Sequence, residues 1–109
     1  MACELINRPS DLDRVIKSKD RLTVLFYASW CPFSQRFLPD FLDHAEASDQ
    51  CFMRVLVDDK DDLIRKYAIE VYPTVLFFQH GKVAKRLDGI FHVGLNKRQL
   101  EEFVNKCRA

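Results

Sequence analysis

The chain has 109 residues, of which 48% are hydrophobic and 30% charged, and a formal net charge of +1. That length suits one core and one domain over 1–109. Interleaved charges leave no basic stripe for nucleic acid and no polybasic patch for a membrane surface. No apolar stretch nears the roughly 20 residues of a membrane span, and residues 1–5 lack the basic and apolar regions of a secretory signal. A cytoplasmic, monomeric protein is expected.

Residues 3–6 read as a short first strand. Pro9, Ser10 and Asp11 start a helix with Leu12, Val15 and Ile16 on one face, ending near Ser18. Residues 22–27 are a nearly unbroken apolar, β-favouring run, as expected of a central strand covered on both faces. A long helix follows over about 32–47, with Phe37, Leu38, Phe41, Leu42 and Ala45 at helical spacing. Pro39 lies inside it and should kink it, because proline lacks the N–H. Residues 52–57 form a second core strand, and Asp61 and Asp62 start a short helix through Tyr67. Residues 74–78 form a third strand. The Gln79-His80-Gly81-Lys82 turn leads back into 83–87 as an antiparallel hairpin. Asn96 caps a last helix with Leu100, Phe103 and Val104 facing inward. Strands and helices in alternation predict an α/β sheet domain.

The four cysteines, Cys3, Cys31, Cys51 and Cys107, are far apart. They show no disulfide framework, and His44, His80 and His92 do not pair with them at zinc-ligand spacing. Four acids in 58–62 lack the ligand spacing and turn glycine of a calcium loop and read as solvated. No metal or resident cofactor is expected. His44 reads as partly packed or solvent-facing, and His92 as lying near the rim of any groove built by 89–91.

Cys31 carries the chemistry. It leaves a strand, precedes Pro32 at a favourable first helical position, and so sits at a helix N-terminus. There the dipole and unpaired N–H groups favour a thiolate and lower the thiol pKa. The competing reading is a buried, inert thiol; Trp30 and Pro32 beside it favour function. Ser34 stands three residues on, where a second cysteine would make a dithiol switch. Its hydroxyl is too weak an acid to attack or leave, but it can donate a hydrogen bond to the Cys31 sulphur. Pro73, directly before a buried strand, is the second unusual feature. A cis bond at Tyr72-Pro73 is one use of such a residue, and a trans proline at a strand start is the commoner case. Cys51 precedes a strand parallel to 22–27 and so lies at the sheet edge opposite Cys31. Cys3 and Cys107 lie near the termini. All three read as structural thiols.

Phe26-Tyr27-Ala28-Ser29-Trp30-Cys31, Pro39, Val55-Leu56-Val57-Asp58 and the stretch from Tyr67 to Thr74 together resemble the thioredoxin family, with Gly81 and Gly89 continuing the match in order. The resemblance covers about residues 3–108. It implies the thioredoxin fold, a mixed sheet of four to five strands with helices on both faces, and a cis Pro73 against Cys31. It also implies a groove that binds an extended substrate chain by strand addition, built from Trp30, Pro32, Phe33, Val71, Tyr72, Pro73, Gly89 and Ile90. Three departures stand out. Ser34 replaces the resolving cysteine. Leu25 stands where the family usually has a buried aspartate, with Arg54 in place of that acid's lysine neighbour. Pro32-Phe33 replaces Gly-Pro, in a motif style nearer the glutaredoxins. Loss of the acid together with the thiol argues against Ser34 being an engineered replacement.

The resemblance implies thiol–disulfide exchange by a monothiol route. Cys31 attacks a protein disulfide or glutathionylated cysteine, and glutathione, another small thiol or a second substrate cysteine releases the product. The alternative is a non-redox module binding extended or unfolded polypeptide segments. A glutathione-assisted iron–sulfur site shared by two chains is a minor third reading.

Overall fold

The computed structural model describes residues 4–6 and 8–108; Cys3 lies outside them. Nine elements follow in order: β1 Glu4–Ile6, α1 Pro9–Ser18, β2 Arg21–Tyr27, α2 Pro32–Ala47, β3 Phe52–Leu56, α3 Asp61–Lys66, β4 Thr74–Gln79, β5 Lys82–Asp88 and α4 Lys97–Arg108. They form a five-stranded sheet of order β1-β3-β2-β4-β5. β3 runs parallel to both β1 and β2, while β4 runs antiparallel to β2 and β5. This is the thioredoxin fold that the resemblance implies.

Strand alternation divides the core. Leu22, Val24 and Phe26 of β2 point to one face and pack with Leu12 and Ile16 of α1 and Leu63 of α3. Leu25 and Tyr27 point to the other and pack with Phe37 and Phe41 of α2 and Leu100 and Phe103 of α4. Six of the seven residues of β2 are therefore buried, which is what an apolar run without alternation signals. β5 has the opposite character. Its residues are mostly exposed and include Lys82, Lys85 and Arg86, charges that discourage further pairing at a sheet edge.

The element ends differ from expectation by a residue or so. β2 begins at Arg21, which pairs with Gln79, and β5 takes in Lys82 and Asp88 because Gln79 and Thr74 pair with them. β3 ends at Leu56, although the Val57 N–H still reaches the Tyr27 carbonyl at 2.8 Å. α3 stops at Lys66, with Tyr67 as its C-cap. α2 runs through Pro39 as one helix. The hairpin turn places His80 and Gly81 at φ 55° and 82°, the two positive values that a twisted two-residue hairpin requires.

Candidate active site

β2 delivers the chain to Cys31. The Ala28 carbonyl accepts the Cys31 N–H at 3.3 Å, closing a turn, and the Cys31 carbonyl accepts the Gln35 N–H at 3.1 Å. Cys31 is the extended N-cap of α2, and Pro32 follows as the first helical residue. The sulphur is mostly buried and faces the Tyr72 carbonyl at 3.8 Å. Tyr72-Pro73 is a cis peptide, the less common of the two alternatives at a strand start. Gly89 lies against it so closely that a Cβ there would stand 2.5 Å from the Pro73 carbonyl oxygen.

Above this floor is a groove of about 260 Å³. Trp30, Cys31, Phe33, Val71, Tyr72 and Ile90, all expected there, line it. The Trp30 and Tyr72 rings meet edge to face, with centroids 5.5 Å apart. Pro73 and Gly89 are buried beneath, and Pro32 is exposed at the helix start without lining the groove. Burial pushes the Tyr72 phenol pKa up, with Asp61 and Asp58 adding to it.

Ser34 departs from expectation. It is fully buried, and its Oγ accepts the Ala28 N–H at 3.2 Å. Among the described residues it makes no hydrogen bond to Cys31. A backbone N–H leaving β2 needs an acceptor when buried, and the hydroxyl supplies one. Leu25 is fully buried in the α2–α4 side of the core, opposite Arg54 on β3. Arg54 donates from Nη1 to the Tyr27 hydroxyl at 2.8 Å, while its Nε is buried without a partner.

Five contributors escaped sequence reasoning. Ser29 donates its N–H to Asp58 at 3.1 Å and its hydroxyl to the same carboxylate, and Gln35 Nε2 donates to the Ser29 carbonyl. The residue before Trp30 is thus pinned from both sides. Those hydrogen bonds from Ser29 hold the Asp58 carboxyl below the usual carboxylate range. Phe91, with Glu70, completes the groove lining, and His92 stands on its rim as expected. A signal for Phe91 was present: the apolar Ile90, Phe91 and Val93 fall between two glycines, outside any periodic pattern.

The other described thiols lie away from the groove. The Cys51 carbonyl accepts the Thr23 N–H at the start of β2, roughly 15 Å along the strand from Cys31, beyond disulfide reach. Cys107 is buried in α4, and that burial raises its pKa. No group of histidines, cysteines and acids among the described residues is arranged for a metal ion, and no helix among them is long and apolar enough to cross a membrane.

The thioredoxin family model matches residues 5–106. A thioredoxin from Mycoplasmoides gallisepticum is 32% identical over 100 residues, covering 91% of this chain and 96% of its own. Human endoplasmic reticulum resident protein 44 is 36% identical over 87 residues, covering 70% of this chain but only 21% of that longer protein. Among solved structures, Malassezia sympodialis thioredoxin superposes with a TM-score of 0.85 at 21% identity, covering 99% of this chain and 92% of its own.

Proposed function

The chain belongs to the thioredoxin family, and on that premise we propose that it is a thiol–disulfide exchange protein working through Cys31 alone. The observation that carries this reading is the pair of fates at the start of α2. Cys31 lines the groove, whereas Ser34, one turn on, is buried and holds the Ala28 N–H.

In the first step the Cys31 thiolate attacks one sulphur of a protein disulfide or a glutathionylated cysteine. A new S–S bond forms, the old one breaks, and the departing sulphur leaves as a thiolate. Negative charge on the attacking sulphur falls at the positive end of α2. Trp30, Phe33, Val71, Tyr72 and Ile90 hold the substrate chain, over a floor of Pro73 and Gly89. Ser34 cannot attack the mixed disulfide, and Cys51 lies too far away. Release therefore takes an external thiol: glutathione, another small thiol, or a second cysteine of the substrate. The last case reshuffles disulfides without net reduction. A need for external thiol suits a cytoplasmic setting. Leu25 is consistent with this half-cycle, because a buried acid serves the second thiol step, which this chain leaves to another molecule.

Mass spectrometry after incubation with oxidised glutathione tests the assignment. One adduct on Cys31 is expected, with turnover of a protein disulfide appearing only when a low-molecular-weight thiol is supplied. Preferential reaction at Cys3, Cys51 or Cys107, or equal turnover by wild type and Cys31→Ser, would overturn it.

A further inference from the structure

The turn at 90–94 is closed on itself. The Ile90 N–H meets the Gly94 carbonyl at 3.0 Å, and the Val93 and Gly94 N–H groups meet the Ile90 carbonyl at 2.8 and 2.7 Å. Two anchors fasten it to α2. Arg36 Nη2 donates to the Val93 carbonyl at 2.9 Å, and a Cβ on Gly94 would stand 2.8 Å from the Phe33 Cβ. So held, the turn presents Ile90, Phe91 and Val93 to water at 50%, 72% and 57% exposure, beside Trp30 at 67%. A rigid apolar cluster that contributes nothing to the core is the mark of a recognition surface.

Phe91 stands between two hollows. One is the slot over Cys31; the other, of about 480 Å³, is walled by Arg86, Asp88 and Gly89. Glu70 and Val71 line both. An occupant that brings a sulphur to Cys31 and continues along Val71 must therefore pass Phe91. Charge decides between occupants. No lysine or arginine lines the slot over Cys31, while Glu70 does, without an ion pair among the described residues. Arg86 next door is held by Asp88 and by the carbonyls of Tyr67 and Ala68. A small anionic disulfide meets no lysine or arginine in the slot, only the Glu70 carboxylate and the His92 imidazole on the rim. A polypeptide with an apolar side chain finds Phe91 and Trp30.

Resting on the single-cysteine reading above, we propose that Phe91 is a specificity-determining residue, selecting disulfides in polypeptide segments with a large apolar residue beside the cysteine. The step it selects is the first exchange. Cys31 is oxidised to the mixed disulfide, the peptide S–S bond breaks, and the departing peptide sulphur is reduced to a thiolate that takes a proton from water.

The test uses the symmetrical disulfides of acetyl-Leu-Cys-Gly-amide and acetyl-Ser-Cys-Gly-amide, with adduct formation on Cys31 timed by acid quench and mass spectrometry. Wild type is expected to react about tenfold faster with the leucine peptide, the scale of selectivity an apolar pocket achieves. Phe91→Ala should bring the ratio to about threefold or less, and Phe91→Leu should keep most of it. Because the readout is a ratio, a general loss of rate cancels. Reaction at Cys31 with no preference in wild type, or a full preference surviving in Phe91→Ala, would overturn the proposal alone. Failure of Cys31 to react with either peptide would overturn the single-cysteine reading and this proposal with it.

Discussion

Asp58 and Ser29 meet across 29 residues of chain, and the contact ties a carboxylate to the loop that carries Trp30 and Cys31. Its pH behaviour follows from the direction of the shift. The folded pKa lies below the unfolded value of about 3.9, so the stabilisation is present above that pH and is lost as pH falls through the folded pKa. Asp58→Ala should speed amide hydrogen exchange at Ser29 several-fold and slow adduct formation on Cys31. Wild type should approach the same behaviour when acidified well below pH 4. Unchanged exchange at Ser29 in the variant would show that the contact does not position the loop. At this scale the place of Cys31 at the start of α2 was legible, since a strand exit followed by a proline marks a helix start. Ser34 was legible as a missing thiol, but not as the acceptor for Ala28.

Two elements carry separable predictions. α4 begins with a reciprocal cap: the Gln99 N–H donates to Asn96 Oδ1 at 2.9 Å, and the Asn96 N–H donates to Gln99 Oε1 at 2.8 Å. Asn96→Ala should cost about 1 kcal/mol, seen as a lower urea midpoint with the slope unchanged. On α2, His44 is partly packed, with its ring edge-on to Phe52 at 5.6 Å. Burial lowers its pKa; Glu101 opposes this, while Arg108 and Lys97 add to it. The unfolded chain therefore binds the proton more readily, and stability should decline as pH falls below about 6.5. Denaturant titrations at pH 7.5 and 5.5 should show a smaller decline in His44→Asn; an equal decline would assign the effect elsewhere. The elements themselves were legible because periodicity is a local property of the chain. Their ends shifted where pairing partners decided them, as at Arg21 and Asp88.

For the whole molecule, Leu25 is the informative position. It lies in the middle of the central strand, paired on either side with Arg54 and Val75, and faces the helices α2 and α4 across one half of the core. Leu25→Ala should cost about 2–5 kcal/mol, measured by equilibrium unfolding. Leu25→Asp should cost more, because a carboxylate there loses its hydration in an apolar cluster. A Leu25→Asp protein as stable as wild type would show that the cluster tolerates the charge.

The chain alone determined the strands, the helices, the start of α2 at Cys31 and the absence of a second thiol at Ser34. These depend on residue type and spacing, which act over a few residues. Tertiary structure decided what the sequence could not show: the Asp58 clamp, the burial of Ser34 under Ala28, and Phe91 as a wall between two hollows. The first and the last are meetings of segments distant in the chain, and the second closes across only six residues. Such meetings depend on strand register and on how each loop closes, which no local pattern encodes.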